Sequence, residues 1–286
     1  YCVHMGAHLG IGAGEPDDKA PGPGLVVDEC IQCPFHGWRY DGDGVVVDIP
    51  YSDARIPSKA RVRSFPTREF NGVVFAWHHL LGEPPAWELP ELPEFDDDDW
   101  FGPVYTERTI ASCNQELSEN DHDFVHFAYV HTADEPSKAN ITYSEDGRIK
   151  TTTEIIQSGR EIGDGAVTFE EESPFSRESH QLGFVVLRIP GYVSFMAATT
   201  PIDEDHVQQR WVFALPKELG QETADTVVDA FASSGIYQDI PIWEHKRHLT
   251  KPLLVKGDGP IMEFRRWAAQ FYSDPADVPD ELGNHA

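Results

Sequence analysis

CVHMGAHLG occupies residues 2–10 and CPFHGWRY residues 33–40. Each stretch carries one cysteine and one histidine: Cys2 and His4 in a Cys-x-His, Cys33 and His36 in a Cys-x-x-His. Two such pairs constrain a fold tightly, because donor side chains from two short loops must end facing one another. A two-iron, two-sulfur cluster with two thiolates on one iron and two imidazoles on the other requires this set. Gly6, Gly10 and Gly37 are expected to let the backbone approach such a cluster and donate N–H groups to its sulfurs. Other readings of the same residues remain open. Cys30 and Cys33 form a Cys-x-x-Cys, the spacing of a thiol redox pair, although no βαβ pattern follows. The four donors also suit zinc, and core cysteines beside surface histidines would give the same letters.

The bulk numbers exclude several classes. A length of 286 residues suffices for one large or two ordinary domains. Hydrophobic residues at 40% and charged residues at 25% match an ordinary globular protein. No apolar run is long enough for a transmembrane helix. Tyr1 is not Met and directly precedes a motif residue, so the stretch reads as N-terminally truncated, with any leader or membrane anchor lying upstream. The net charge of −27, from 49 acidic and 22 basic residues, argues against a nucleic-acid partner. It reads as a solvated acidic surface, and would also steer a basic electron-transfer partner. Four cysteines are too few for a secreted disulfide framework, which points to a reducing, cytoplasmic setting.

Along residues 25–79 run short β-type segments, LVV, GVVVDI, RVRSF and GVVFAW, with DGDG at 41–44 marking a hairpin turn. GEPPAWELPELPEF at 82–95 is Pro-rich and leads into four aspartates, which reads as a linker. Beyond it the pattern predicts a helix over about 112–131, strands at 149–157, 166–171, 182–187, 192–199 and 206–215, and helices over about 222–248 and 260–271. Strands grouped together with helices beside them indicate an α+β domain with an antiparallel sheet. The expected organisation is an all-β cluster domain over 1–81, a linker over 82–99 and an α+β domain over 100–286.

ENDHDFVHFAYVH, residues 119–131, holds the second concentration of chemistry. Non-haem iron is held by two histidines and one carboxylate with positions left open. Asp123 and His126 are three apart and would share a helix face. His131 is five beyond His126, about 140° round an ideal helix, so both reach one metal only if the helix ends or bulges between them. An amphipathic helix with surface histidines is the alternative. A third ligand must come from far along the chain. Asp239 in YQDIPIWEHKRH is the candidate, with Asp225, Asp229 and Glu244 as fallbacks; before Ile240-Pro241 it also reads as a helix N-cap. His122 reads as a neighbour of the site or as exposed.

The two loops resemble the cluster loops of Rieske oxygenases. Cytochrome-complex Rieske proteins carry two further cysteines where this chain has Ala7 and Phe35, so the oxygenase or ferredoxin type is favoured; Cys30, at neither place, reads as a buried thiol. The 28 residues between His4 and Cys33 exceed the family's usual spacing, and the excess sits in EPDDKAPGPG, residues 15–24, a Pro/Gly turn insert. Glu119, Asp123, His126 and His131 repeat the acid-x3-Asp-x2-His-x4-His pattern of the family's catalytic domain.

The resemblance implies a [2Fe-2S] Rieske cluster on Cys2, His4, Cys33 and His36, and mononuclear Fe(II) on His126, His131 and Asp239. It makes Asp123 the link to a cluster histidine of a neighbouring subunit and puts Asn120 near the open iron face. It also implies a helix-grip catalytic domain, a head-to-tail homotrimer, O2 as co-substrate, and NAD(P)H-derived electrons delivered by a separate reductase, with or without a ferredoxin. The tail, KPLLVKGDGPIMEFRRWAAQFYSD at 251–274, resembles the 3-ketosteroid 9α-hydroxylase oxygenases and animal cholesterol 7-desaturases, implying a steroid or sterol substrate. Phe184, Val186, Phe195 and Met196 are candidates for an apolar pocket and are equally ordinary core residues. Rival functions are a Rieske electron carrier and a sterol-binding module without oxygenase activity.

Overall fold

The computed structural model describes residues 1–12, 22–131, 139–162, 167–232, 237–274 and 276. They divide into two compact units, Tyr1–Arg68 with Val74–Ala86, and Glu69–Val73 with Trp87–Ala286.

The first unit is built from very short strands. A ribbon pairs β1 (Ile11–Gly12) with β2 (Gly22–Pro23). Of the 15–24 insert, residues 15–21 lie outside the described residues. A four-stranded antiparallel sheet runs β3 (Leu25–Val27), β4 (Cys30–Gln32), β5 (Arg39–Tyr40) and β6 (Val46–Asp48). The DGDG turn joins β5 to β6: the Asp41 carboxylate accepts from the N–H of Asp43 and Val45 at 3.0 and 2.9 Å, and Gly44 takes φ of +76°. RVRSF contributes only a single bridge, Val45 to Arg61, rather than a strand. The core is small: Cys2, Cys33, Tyr40, Val46 and Ala60. So thin a sheet cannot cover both faces, and Cys30 on β4 is half-buried rather than buried. A two-stranded sheet of β7 (Thr67–Phe70) and β8 (Val73–Ala76) follows.

The second unit is one seven-stranded antiparallel sheet with helices on one face. Its strands are β9 (Trp100–Ile110), β10 (Asn140–Tyr143), β11 (Lys150–Ile156), β14 (Ser173–Gln181), β15 (Phe184–Ile189), β16 (Val193–Pro201) and β17 (Val207–Pro216), in the order β10-β11-β14-β15-β16-β17-β9. A separate small ribbon pairs β12 (Glu161–Ile162) with β13 (Val167–Thr168). Alternation assigns the faces. Leu187, Phe195, Trp211 and Phe213 join the core under the helices. Val186 and Met196, a cross-strand pair, are fully buried on the other side. That face is covered by residues of the Pro-rich stretch: Leu92 is buried, and the Glu94 carboxylate accepts from Ser194 Oγ at 2.7 Å and Arg188 Nε at 3.3 Å. Burial on both sides explains the continuous apolar run WVFAL in β17.

The helices are shorter than the periodicity predicts. The 112–131 segment is α1 (Asn114–Asn120) and α2 (His126–Val130), with a turn between them. The 222–248 segment holds α3 (Gln221–Ala230), which buries Ala224, Val227 and Val228, and α4 (Tyr237–Trp243); residues 233–236 lie outside the described residues. The last helix, α5 (Ile261–Ala268), buries Ile261, Phe264 and Trp267. β9 and β14 lie where no strand is expected, because Gly102-Pro103 interrupts one and SPFSRESHQ is largely polar.

Candidate metal centres

The first unit presents two loops that are near copies. Cys2 N–H donates to the Ala7 carbonyl at 2.8 Å, and Gly6 N–H closes the turn on the Cys2 carbonyl at 2.9 Å. Cys33 N–H donates to the Trp38 carbonyl at 2.8 Å, and Gly37 N–H returns to that of Cys33 at 3.0 Å. Gly6 and Gly37 sit at φ of +74° and +73°, a left-handed conformation other residues adopt at a cost. The glycine N–H groups are therefore used by the turns, and Gly10 N–H goes to His8 Nδ1, so none of the three is left for cluster sulfurs.

Cys2 and Cys33 are buried free thiols. Burial pushes the Cys2 thiol up, but hydrogen bonds from the Tyr40 hydroxyl, the His4 and Met5 backbone and the Cys33 thiol outweigh it and hold it below the ordinary thiol range. The Tyr40 hydroxyl donates to Cys2 Sγ at 3.0 Å and accepts Val3 N–H at 3.1 Å. His4 is exposed and His36 half-buried; their rings lie 4.8 Å apart, and Trp38 stacks on His4 at 4.6 Å. Two buried thiols, one of them held toward the thiolate, beside two facing imidazoles fit the ligand set of a Rieske cluster.

In the second unit the turn between α1 and α2 builds the other centre. The Asp123 carboxylate accepts from the N–H of Val125 and His126 at 3.2 and 3.3 Å, which starts a new helical turn at His126 instead of extending α1. Asp123 and His126 thus do not share a continuous helix face. α2 ends at Val130, and His131 leaves helical geometry at φ −103°, ψ 14°. That ending brings the two imidazoles to one side. Asp239, in the first turn of α4 and 6% exposed, meets them. One donor atom from each of His126, His131 and Asp239 lies within 4.8 Å of the others, and this is the one such group among the described residues.

The ring nitrogens are already sorted. His126 Nδ1 is hydrogen-bonded to the Asp123 carbonyl, and His131 Nδ1 to Gln238 Oε1 at 2.9 Å. Both Nε2 atoms face the Asp239 carboxylate, at 3.8 Å for His126 and 3.3 Å for His131. With Nδ1 carrying the proton, Nε2 keeps its lone pair for a metal. Two imidazole nitrogens and a carboxylate oxygen converging in this way fit the two-histidine, one-carboxylate chemistry of non-haem iron. Asn120 Nδ2 donates to Asp239 Oδ2 at 3.2 Å and lies 3.2 Å from His126 Nε2. The fallback carboxylates Glu244 and Asp225 are engaged elsewhere: Glu244 accepts from Ala111 N–H and Asp225 from Gln221.

Several supports were not evident in the sequence. Gln238 orients His131, its only sequence signal being adjacency to Asp239. The Phe127 ring lies 4.3 Å from His126 and 5.5 Å from His131, and the Arg177 guanidinium sits over the same ring, 5.4 Å from its centroid. The C-terminal segment clamps α1. Arg265 binds Glu119 through two hydrogen bonds of 2.7 and 2.8 Å, and Lys246 and His248 both reach Glu116 at 2.6 Å. His122 is 1% exposed and stacks on Phe264 at 4.2 Å. Of the four apolar candidates, Phe184 lines a cleft between α1, α5 and the sheet, Phe195 belongs to the core, and Val186 and Met196 are buried on the opposite face.

Comparison with known proteins finds a family match for each part of the chain. The Rieske [2Fe-2S] domain family matches residues 1–66, and the 3-Ketosteroid 9alpha-hydroxylase C-terminal domain matches residues 76–272. The 3-ketosteroid-9-alpha-monooxygenase oxygenase component of Mycolicibacterium smegmatis is 32% identical over 299 residues, covering 99% of this chain and 74% of that protein. Cholesterol 7-desaturase of Caenorhabditis elegans is 32% identical over 305 residues, covering 96% of this chain and 67% of that protein. The crystal structure of dicamba monooxygenase bound to dicamba superimposes with a TM-score of 0.68 at 18% identity, over 88% of this chain and 83% of the other, which shows the shared fold. An all-β cluster unit, a helix-covered antiparallel sheet and these matches across the chain lead to one assignment: the chain belongs to the Rieske non-haem iron oxygenases, in the branch with a 3-ketosteroid 9alpha-hydroxylase C-terminal domain.

Proposed function

We propose that this chain is the oxygenase component of a steroid monooxygenase, with His126, His131 and Asp239 holding mononuclear iron and Cys2, His4, Cys33 and His36 holding the Rieske cluster. The observation that carries the reading is the convergence of His126, His131 and Asp239, drawn from α2 and α4, in a chain whose other unit holds paired Cys and His loops. The two groups, when bound, supply one-electron transfer and reductive activation of O2. The chain's residues do the rest. Asp123 and Gln238 fix the imidazole tautomers so that both Nε2 atoms aim inward. Asn120 holds the Asp239 carboxylate by donating to Oδ2. Phe127 packs against both imidazoles and limits their rotation.

Steroid hydroxylation is supported by the names of the relatives, and desaturation is the second reading because a cholesterol 7-desaturase aligns with 96% of this chain. Electrons come from NAD(P)H through a separate reductase, with or without a ferredoxin. We place the cluster domain at 1–81, the link at 82–99 and the catalytic domain at 100–286, a division supported by two compact units that part at residues 86 and 87. The assembly is a head-to-tail homotrimer in which Asp123 couples the iron site to a cluster histidine of the neighbouring subunit. The setting is cytoplasmic, supported by four free cysteines; no described helix is long and apolar enough to cross a membrane.

The test is mass spectrometry of products formed with a reductase, NADH and O2 over a panel of 3-ketosteroids and sterols. One oxygen gained on a 3-ketosteroid supports the hydroxylase, and two hydrogens lost from cholesterol support the desaturase. No change in any steroid, with the iron site loaded, overturns the substrate class.

A further inference from the structure

Lys150, at the start of β11, is fully buried, with 0% exposure, and its ammonium has no hydrogen-bond partner among the described residues. A buried lysine without a partner is costly enough to require an explanation. Its neighbours border one cleft. Lys150 pairs across strands with Ser179, its Nζ lies 5.8 Å from the Phe264 ring centroid, and it interacts electrostatically with Asp121. Ser179, Phe264 and Asp121 all line the cleft between α1, α5 and the sheet. Asn120, the residue before Asp121, donates to Asp239 Oδ2 and lies 3.2 Å from His126 Nε2, so this cleft adjoins the proposed iron ligands.

The lining is divided by character. Leu117, Phe184, Val185, Ala197 and Trp267 give apolar walls. Gln209, 8% exposed, lines the same cleft, and its Oε1 has no hydrogen-bond partner among the described residues. The enclosed volume is about 20 Å3, room for about one water, so a ring ligand requires the cleft to widen.

We propose that Lys150 and Asp121 form the polar end of the substrate cleft, with the Lys150 ammonium donating to an accepting oxygen, ketone or hydroxyl, on the apolar ring ligand that fills it. The proposal deepens the steroid reading and rests on it. An ammonium has three donors and no acceptor, so its partner must bring a lone pair. The groups facing Lys150 are Asp121, Glu263 and Arg177. Arg177 is already paired with Glu154, and Asp121 and Glu263 both face the ammonium, so the end carries no excess positive charge. A neutral oxygen suits it better than a carboxylate, which would add an uncompensated buried charge. Burial pulls the Lys150 ammonium down to about 8, with Asp121 and Glu263 opposing, which leaves it mostly protonated at neutral pH. A ketone uses Lys150 alone; a hydroxyl also donates to Asp121.

The test uses the iron-loaded oxygenase without O2 and measures Kd by equilibrium dialysis for three matched steroids bearing a ketone, a hydroxyl or only hydrogen at the terminal ring carbon. Wild type is expected to bind an oxygenated ligand at least tenfold more tightly than the deoxy ligand. Lys150→Met is expected to lose about tenfold or more on that ligand alone, and Lys150→Arg to recover part of it. Whichever oxygen loses more identifies the source, and Asp121→Asn weakens only the hydroxyl. Equal wild-type affinity for all three ligands overturns the proposal without needing a variant. An equal loss on all three in Lys150→Met, or none, also overturns it. If products form yet Kd ignores Lys150, only this inference falls; if wild type binds no steroid, the steroid reading falls with it.

Discussion

Replacing Gly259 with alanine should damage the iron site from a distance of many residues in sequence. A Cβ at Gly259 would lie 2.1 Å from the His122 carbonyl oxygen and 3.1 Å from both His122 C and Phe124 N. Real Cβ contacts stay above 3.0 Å, so the oxygen is about 0.9 Å too close. The demand is for space, and the obstacle is backbone, which cannot rotate aside as a side chain can. The turn that must give way contains Asp123, whose carboxylate starts the turn at His126. Overpacking of this kind costs up to about 3 kcal/mol, or roughly 6–12 °C in the melting of a unit this size. A displacement of ångström scale also moves His126 off the His131–Asp239 pair. The assay is calorimetry together with iron analysis. The catalytic-unit transition should fall and mononuclear iron should be lost, while the cluster absorption, which arises in the other unit, persists. Gly42→Ala is the control, since its Cβ meets nothing within 4 Å. A Gly259→Ala protein with wild-type melting and full mononuclear iron would refute the reasoning.

Three further outcomes are expected. His126→Ala, His131→Ala and Asp239→Ala should each lower iron from about three to about two per chain with an unchanged cluster spectrum, by metal analysis and visible absorption. Tyr40→Phe removes the hydrogen bond to Cys2 Sγ, which favours the more negative reduced cluster. A loss of about 1 kcal/mol should lower the cluster potential by about 40 mV in a redox titration, and an unchanged potential would remove Tyr40 from that role. Burial raises the Glu116 carboxyl, but Lys246 and His248 outweigh it and hold it below the usual carboxylate range. A depressed carboxylate stabilises the fold above its unfolded pKa, and that contribution fades as pH falls through the folded value. Glu116→Gln should therefore destabilise at pH 7 and flatten the acid limb of stability against pH; a parallel shift at every pH would contradict this.

Much of both centres is legible in the letters. Cys2, His4, Cys33 and His36 declare themselves because a cluster needs those donor types from two tight loops. His126 and His131 do so because their five-residue spacing demands a helix end, and α2 ends at Val130. Less legible is anything that depends on a partner elsewhere. Position beside the ligands points the three glycines at cluster sulfurs, yet their N–H groups close local turns. A single long helix over 112–131 does not form because Asp123 competes for the N–H groups that would extend α1. β14 has no apolar alternation to announce it, because SPFSRESHQ gains its place from pairing with β11 and β15.

Donor chemistry is local, so the sequence by itself picked out the candidate donor side chains in each loop and showed that one polypeptide carries two separate concentrations of them. Side-chain type and spacing along a short segment suffice for that. Only the tertiary structure decided that Asp239, rather than Asp225, Asp229 or Glu244, closes on the two histidines. Only it seats the C-terminal segment on α1 through Arg265 and Lys246 and on the turn after α1 through Gly259, and buries Lys150 opposite Ser179. Those choices rest on long-range packing and buried charge. Their energies depend on what lies opposite a residue in space, which spacing along the chain does not encode.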